Sequence, residues 1–225
     1  MMISQKKTKI FGIGLSRTGT QSLSRALRTL EYRTAHYPNI VYYRLGRADI
    51  DINEVKKYDA VTDIPVARFY KELDIAFPGS KFILTIRNAK KWVESCNKLY
   101  ELSGKTLDDW FNNHSEFISR ILLHFFGLSQ SFDFRKFCIK KPKSVKIIKP
   151  LMNLEVYSSI HFDKRKMIKA YKRHIEDVIL YFSNRKNDLL IRILLRATLG
   201  ISFVVFLGPQ SPMRHSQGMT TIWKD

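Results

Sequence analysis

One segment near the N-terminus, FGIGLSRTGTQSL at residues 11–23, limits the fold more than any other part of the chain. An apolar run over Lys9–Gly14 leads into a turn at Ser16–Thr20, and leucines at helical spacing follow. This order predicts a buried parallel strand, a glycine-containing turn and an amphipathic helix. Such a turn directs backbone N–H groups and the positive end of the helix dipole toward one point. That arrangement is typical of phosphate and sulfate sites.

The residues of this loop supply what an anion site needs: glycines for close approach, hydroxyl groups for hydrogen bonds and one cation. They are Gly14, Ser16, Arg17, Thr18, Gly19 and Thr20. Two common loops are excluded by one residue each. A Walker A loop requires lysine where Thr20 stands, and a dinucleotide-binding GxGxxG loop requires a third glycine where Arg17 stands. Ordinary ATPase and dehydrogenase functions are therefore disfavoured.

Strand and helix patterns alternate along most of the chain. Further strands are predicted at Tyr32–His36, Tyr58–Thr62, Lys81–Ile86 and Asp188–Ile193. Helices are predicted at Thr20–Leu30, Val66–Ala76, Lys90–Tyr100, Leu107–Phe137 and Phe162–Phe182, with a loop at Lys140–Lys149. The alternation predicts one α/β domain over residues 1–225, with a central parallel sheet between flanking helices in three layers.

A second informative segment is FILTIRNAKKWVES, which begins at Phe82. Its strand ends at Arg87, and Ser95 follows inside the next helix. Open α/β sheets bind ligands in the crevice beyond the carboxyl ends of their strands, so the guanidinium group of Arg87 is well placed to grip a phosphate. Taken alone, however, the segment favours a structural role, with Arg87 paired with Asp59 or Asp63 and Ser95 on a helix surface.

Together the two segments resemble the 5′-phosphosulfate loop and the 3′-phosphate motif of P-loop sulfotransferases. The resemblance extends to Asp63-Ile64-Pro65 after the third strand and to the pair Tyr171 and His174 in a late helix, and it covers about residues 8–191. It implies a P-loop NTPase-like fold. It also implies transfer of a sulfuryl group from 3′-phosphoadenosine 5′-phosphosulfate (PAPS) to a hydroxyl or amine acceptor, without a metal.

The resemblance also implies roles for individual residues. The 5′-phosphate would be held by Gly14, Ser16, Arg17, Thr18, Gly19, Thr20, Gln21 and Ser22, and the 3′-phosphate by Arg87 and Ser95. Arg17 would neutralise the charge that develops on the bridging oxygen. For the general base, His36 at the end of the second strand is the first choice and Asp63 the second. Asp63 is also expected to cap the helix near Pro65.

Two other functions are weighed against this one. A net charge of +19 implies an anionic partner, which would also suit a basic protein of nucleic acids or membrane surfaces. The chain would also fit a non-catalytic or decayed homologue that only binds the nucleotide. We expect neither nucleic acid nor a membrane as the partner. The acceptor and the oligomeric state are left open.

The cysteine content and the chain ends suggest a compartment. There are only two cysteines, Cys96 and Cys138, and residues 1–9 lack the apolar core of a secretory signal, so we expect a cytoplasmic protein. The apolar stretch Leu189–Leu207 contains Arg192 and Arg196, which argues against a membrane span.

The C-terminal region departs from the sulfotransferase pattern. The glycine–tryptophan motif that generally follows the last strand of relatives is missing, and so is the helix after it. We therefore treat residues 192–225 as atypical, and a frameshift near Arg192 is our hypothesis for their origin.

Overall fold

A central sheet of five parallel strands organises the protein. In this computed structural model the described residues are 7–44, 47–99, 138–139, 152–159 and 162–193. The expectations for Leu107–Phe137, for Lys140–Lys149 and for the region after Ile193 lie outside them. The strand order is β2-β5-β1-β6-β8. The strands are β1 (Ile10–Gly12), β2 (Thr34–His36), β5 (Ala60–Thr62), β6 (Lys81–Ile86) and β8 (Leu189–Ile193).

Helices lie between these strands along the chain, and the protein also has a second, small antiparallel sheet. The helices are α1 (Thr20–Thr29), α2 (Ile52–Lys56), α3 (Ile64–Arg68), α4 (Tyr70–Ala76), α5 (89–99), α6 (152–157) and α7 (Lys164–Tyr181), with a 3₁₀ turn at Lys186–Asp188. The second sheet has the order β4-β3-β7, from β3 (Val41–Arg44), β4 (Arg47–Ile50) and β7 (Cys138–Ile139). The predicted α/β architecture with a parallel sheet flanked by helices is confirmed.

The alternation of side chains along β1 and β6 divides the core into two clusters. Ile10 and Ile83 lie in a cluster with the leucines of α1. Phe11 and Phe82 lie in a larger cluster with residues of α4 and α7. Both faces of the central strands are therefore buried, which explains why their sequences are continuously apolar.

One sequence expectation needs correction, and one pair of strands was not predicted. The single helix predicted at Val66–Ala76 is two helices, which meet at Phe69. There the backbone tightens, because the N–H of Phe69 donates to the carbonyl of Val66, three residues back, and both Phe69 and Tyr70 become buried. The β3–β4 hairpin was not predicted, because Arg44, Arg47 and Asp49 interrupt its apolar pattern.

None of the helices in the described ranges is both long enough and apolar enough to cross a bilayer.

Gly14 packs directly against β6, where no side chain would fit. A Cβ at this position would lie 2.0 Å from Thr85 Oγ1 and 2.7 Å from the Thr85 carbonyl oxygen. We expect Gly14→Ala to lower the free energy of unfolding by about 3 kcal/mol, since the strand or the loop must shift to admit the methyl group. Urea denaturation measures this, with the exposed Arg25→Ala as the control. A change below about 0.5 kcal/mol would contradict the close packing.

Candidate functional site

The loop between β1 and α1 forms one wall of a cavity of about 420 Å³. Gly19, at φ 102°, is the N-cap of α1, and no side chain caps the helix. The first-turn residues Thr20, Gln21 and Ser22 line the cavity together with Ser16, Arg17 and Gly19. An uncapped helix N-terminus that faces a cavity offers backbone N–H groups and a partial positive charge to an anion.

Gly14 and Thr18 lie behind this wall. Thr18 is fully buried, and its hydroxyl lies 2.6 Å from the Leu15 carbonyl and 2.7 Å from Thr85 Oγ1. Its backbone N–H also bonds to the Leu15 carbonyl, at 3.2 Å. The other residues predicted to bind nucleotide all line the cavity. Gly14 and Thr18 shape the loop, and the structure shows neither of them on the wall.

The second predicted motif meets the loop in the same cavity. Ser95 on α5 accepts a hydrogen bond from Arg17 Nε at 3.0 Å. One terminal nitrogen of Arg87, just after β6, lies 3.4 Å from the Arg17 carbonyl oxygen. The alternative pairing with Asp59 is not seen, because Asp59 binds the Arg33 guanidinium at 2.8 Å, which lowers the pKa of Asp59. Two arginines and a serine thus converge from separate motifs.

Asp63 lies where the wall turns from β5 into α3. Its Oδ1 accepts hydrogen bonds from the Ser16 hydroxyl and from the Ile64 N–H, the latter at 2.7 Å, so Asp63 caps α3 as expected. Its Oδ2 lies 3.2 Å from His36 Nε2 and 3.3 Å from the Thr20 hydroxyl. The carboxylate is almost completely enclosed, with 5% of the residue exposed, and it joins the loop to β2.

His36 has both ring nitrogens engaged. Nε2 faces the Asp63 carboxylate, and Nδ1 lies 3.0 Å from the hydroxyl of Thr62, which is fully buried. Because a carboxylate only accepts hydrogen bonds, Nε2 carries the proton and a neutral ring accepts at Nδ1 from Thr62. His36 therefore presents no unengaged basic nitrogen to the cavity in this arrangement.

Backbone strain is concentrated at the cavity. Arg17, Tyr37 and Asp63 all line it and have φ values of 70°, 51° and 92°. With ψ at −174°, Asp63 occupies a region that only glycine normally visits. Such conformations cost about 1–3 kcal/mol each and persist where the surrounding structure holds them. Their location fits a functional site.

The remaining wall is mainly apolar and aromatic. It consists of Tyr37, Ile64, Cys96, Leu99, Asn153, Tyr157 and Met167. Burial raises the pKa of Cys96 to about 12, although Arg17 and Arg87 act in the opposite direction. The thiol is therefore uncharged at neutral pH and unsuited to act as a nucleophile. Sequence reasoning missed Tyr37, Asn153 and Met167, whose local sequence carries no motif.

The part of the chain that the structure describes contains no group of three or more histidine, cysteine, aspartate or glutamate side chains placed to hold a metal ion.

Comparison with known proteins agrees with this geometry. A family model described as "Sulfotransferase domain" matches residues 9–195. The chain is also similar to "Ava biosynthesis cluster protein M" of Aspergillus versicolor, with 31% identity over 106 residues. That alignment covers 39% of this chain and 41% of the relative, so the chain spans about two fifths of the relative's length.

Proposed function

Because the chain belongs to the sulfotransferase domain family, we propose that it transfers a sulfuryl group from PAPS to a hydroxyl or amine acceptor. The observation that carries the proposal is the meeting of Arg17, Arg87 and Ser95 with the uncapped start of α1 in one cavity. A nucleotide with phosphates at both its 5′ and 3′ positions needs two anion sites. The loop and the Arg87–Ser95 pair, which meet in this cavity, would be those two sites.

The loop would hold the 5′ end of the nucleotide. The N–H groups of Thr20, Gln21 and Ser22 belong to the first turn of α1, and the positive end of the helix dipole favours an anion there. Arg17 adds a full positive charge on the same wall.

The Arg87–Ser95 pair would hold the 3′-phosphate. The guanidinium of Arg87 can donate two parallel hydrogen bonds to phosphate oxygens. Ser95 accepts from Arg17 Nε, so its own hydroxyl proton is left to donate to the phosphate. This second anion site is what would distinguish PAPS from ATP or AMP.

In the proposed reaction, a bond forms between the acceptor atom and sulfur while the bond between sulfur and the bridging oxygen breaks. The leaving group is 3′-phosphoadenosine 5′-phosphate (PAP), and the side chain of Arg17 would neutralise the charge that develops on its 5′-phosphate. The protein's main contributions are then positioning and charge stabilisation.

The acceptor also loses a proton, and the geometry favours Asp63 over His36 as its destination. Both residues line the cavity and both hold hydrogen bonds. Thr62 occupies Nδ1 of His36 at 3.0 Å, whereas the Thr20 hydroxyl lies 3.3 Å from Asp63 Oδ2, and this long bond can yield to the acceptor. We assign the base role to Asp63. His36 is then the hydrogen-bond donor that orients Oδ2.

The first test is calorimetric titration of the full chain with PAP and with AMP. Wild type should prefer PAP, and Arg87→Ala should reduce that preference about a hundredfold, because hydrogen bonds to charged groups contribute about 1.5–3 kcal/mol each. AMP binding should change little. Arg33→Ala, which removes an exposed partner of Asp59, serves as the control and should keep the preference.

Three results would separate the remaining possibilities. A folded wild-type protein that binds PAP and AMP equally would contradict the proposal, and binding that falls steeply with salt and ignores the 3′-phosphate would indicate a nucleic-acid or surface-binding role. Formation of a sulfated acceptor from PAPS separates an enzyme from a homologue that only binds nucleotide.

A further inference from the structure

Two side chains of α7 contact backbone groups beside the cavity without lining it. His174 contacts the start of the loop between β1 and α1, and Tyr171 contacts Arg87. His174 Nε2 lies 2.7 Å from the carbonyl oxygen of Ile13, the residue that follows β1. Burial lowers the pKa of His174, so the ring is neutral at pH 7 and its Nε2–H donates this bond. The start of the phosphate loop is thereby fixed to α7.

Tyr171 forms hydrogen bonds to the backbone of Arg87. Its hydroxyl donates to the Arg87 carbonyl at 2.6 Å and accepts from the Arg87 N–H at 2.8 Å, so one oxygen satisfies both backbone groups of that residue. The Tyr171 ring stacks on Trp92, with 4.4 Å between centroids and 19° between planes. The indole N–H of Trp92 donates to the Ser16 carbonyl at 2.9 Å.

Strand ends explain why these partners are needed. Arg87 lies one residue beyond β6 and Ile13 one residue beyond β1, where the sheet ladder ends. The Ile13 N–H still donates to the Ile83 carbonyl, and the Asp63 N–H donates to the Gly12 carbonyl. The Ile13 carbonyl lies past this last rung. Buried backbone groups without partners destabilise a structure, and side chains of α7 supply the partners.

We propose that Tyr171 and His174 are positioning residues with separate tasks: Tyr171 sets the site for the 3′-phosphate through Arg87, and His174 sets the loop for the 5′-phosphate. This inference rests on the proposed function, since it assumes that PAP binds to both the loop and the Arg87–Ser95 pair. Neither residue lines the cavity, so each acts through the backbone that it holds.

The test uses two conservative variants and two nucleotides. Tyr171→Phe keeps the ring stack on Trp92 and removes only the hydroxyl. We expect it to weaken PAP binding about tenfold and to leave AMP binding within about twofold, since AMP has no 3′-phosphate. His174→Phe should instead weaken PAP and AMP alike by about tenfold, because both use the loop. His174→Gln, which can still donate to the Ile13 carbonyl, should recover most of the loss.

Tyr181→Phe is the matched control on the same helix. Its hydroxyl donates to Asp74 Oδ2 at 2.8 Å and has no link to the cavity, so this variant should bind both nucleotides like wild type. Thermal unfolding of Tyr171→Phe and Tyr181→Phe compares their stability. If Tyr171→Phe weakened PAP and AMP equally, its role would be general stabilisation and the inference would be overturned.

The failure of this inference is distinguishable from the failure of the proposed function. Wild type that prefers PAP, together with a Tyr171→Phe variant that keeps the full preference, contradicts the inference alone. Wild type without any preference contradicts the proposed function, and the separate tasks of Tyr171 and His174 fall with it.

Discussion

Arg17→Ala is expected to lower the rate of sulfuryl transfer by about a thousandfold while the protein stays folded. Arg17 is exposed in the cavity wall and is the cation of the loop between β1 and α1. Loss of one donor that stabilises a developing negative charge typically reduces kcat by about 10²–10³-fold, and here a full charge is lost as well. Formation of PAP from PAPS measures the rate, with an acceptor found by screening alcohols, phenols and amines.

A matched variant separates charge from hydrogen-bond geometry. Arg17→Lys keeps the positive charge but cannot reproduce the bond from Arg17 Nε to Ser95, so we expect it to retain activity within about tenfold of wild type. The residue has φ 70°, and all three side chains carry a Cβ, so the backbone cost is similar in each. An Arg17→Ala variant with a rate within threefold of wild type would remove Arg17 from the catalytic step.

The second large effect is expected at Asp63. Asp63→Asn should lower the transfer rate by about 10²–10⁴-fold, because the amide cannot accept the acceptor's proton. Asparagine is also a good N-cap, so the start of α3 should be preserved. PAP affinity, measured by calorimetry, should change by less than about fivefold if the loop keeps its shape.

His36→Gln is the comparison that decides between the two base candidates. The glutamine amide can still donate to Asp63 Oδ2, so a positioning role predicts a loss of only about tenfold. The opposite order, with His36→Gln nearly inactive and Asp63→Asn active, would return the base role to His36. The sequence placed His36 first, and the hydrogen bond that occupies its Nδ1 is our reason for proposing Asp63 instead.

Some of this site could be predicted because its information is local. The loop at residues 11–23 carries its glycines, hydroxyls and cation within one strand–turn–helix unit, and Arg87 follows an unmistakable buried strand. The structure places both segments at the same edge of the sheet, because β1 and β6 are parallel neighbours. Carboxyl ends of parallel strands meet at one edge, so the convergence of the two motifs follows from the fold class.

Other features depend on contacts between distant segments and leave no local signal. The pairing of His36 with Asp63 requires β2 to lie beside β5, and the Arg17–Ser95 bond requires α5 to cross the loop. The sequence drew attention to the pair Tyr171 and His174 but showed no contact for either residue. Only the structure shows which backbone groups the two residues satisfy.

The order of strands in the central sheet has a consequence for how the chain folds. The loop between β1 and α1 is synthesised before the strands that complete the sheet around it, because β1 pairs with β5 and β6, and β6 pairs with β8 through Phe82 and Leu189. Parallel pairings between distant segments close large loops and form slowly. During synthesis, β1 and β6 therefore stay unpaired along at least one edge until strands much later in the sequence have been made. Until those partners are synthesised, the unpaired strands of the nascent chain are exposed to aggregation.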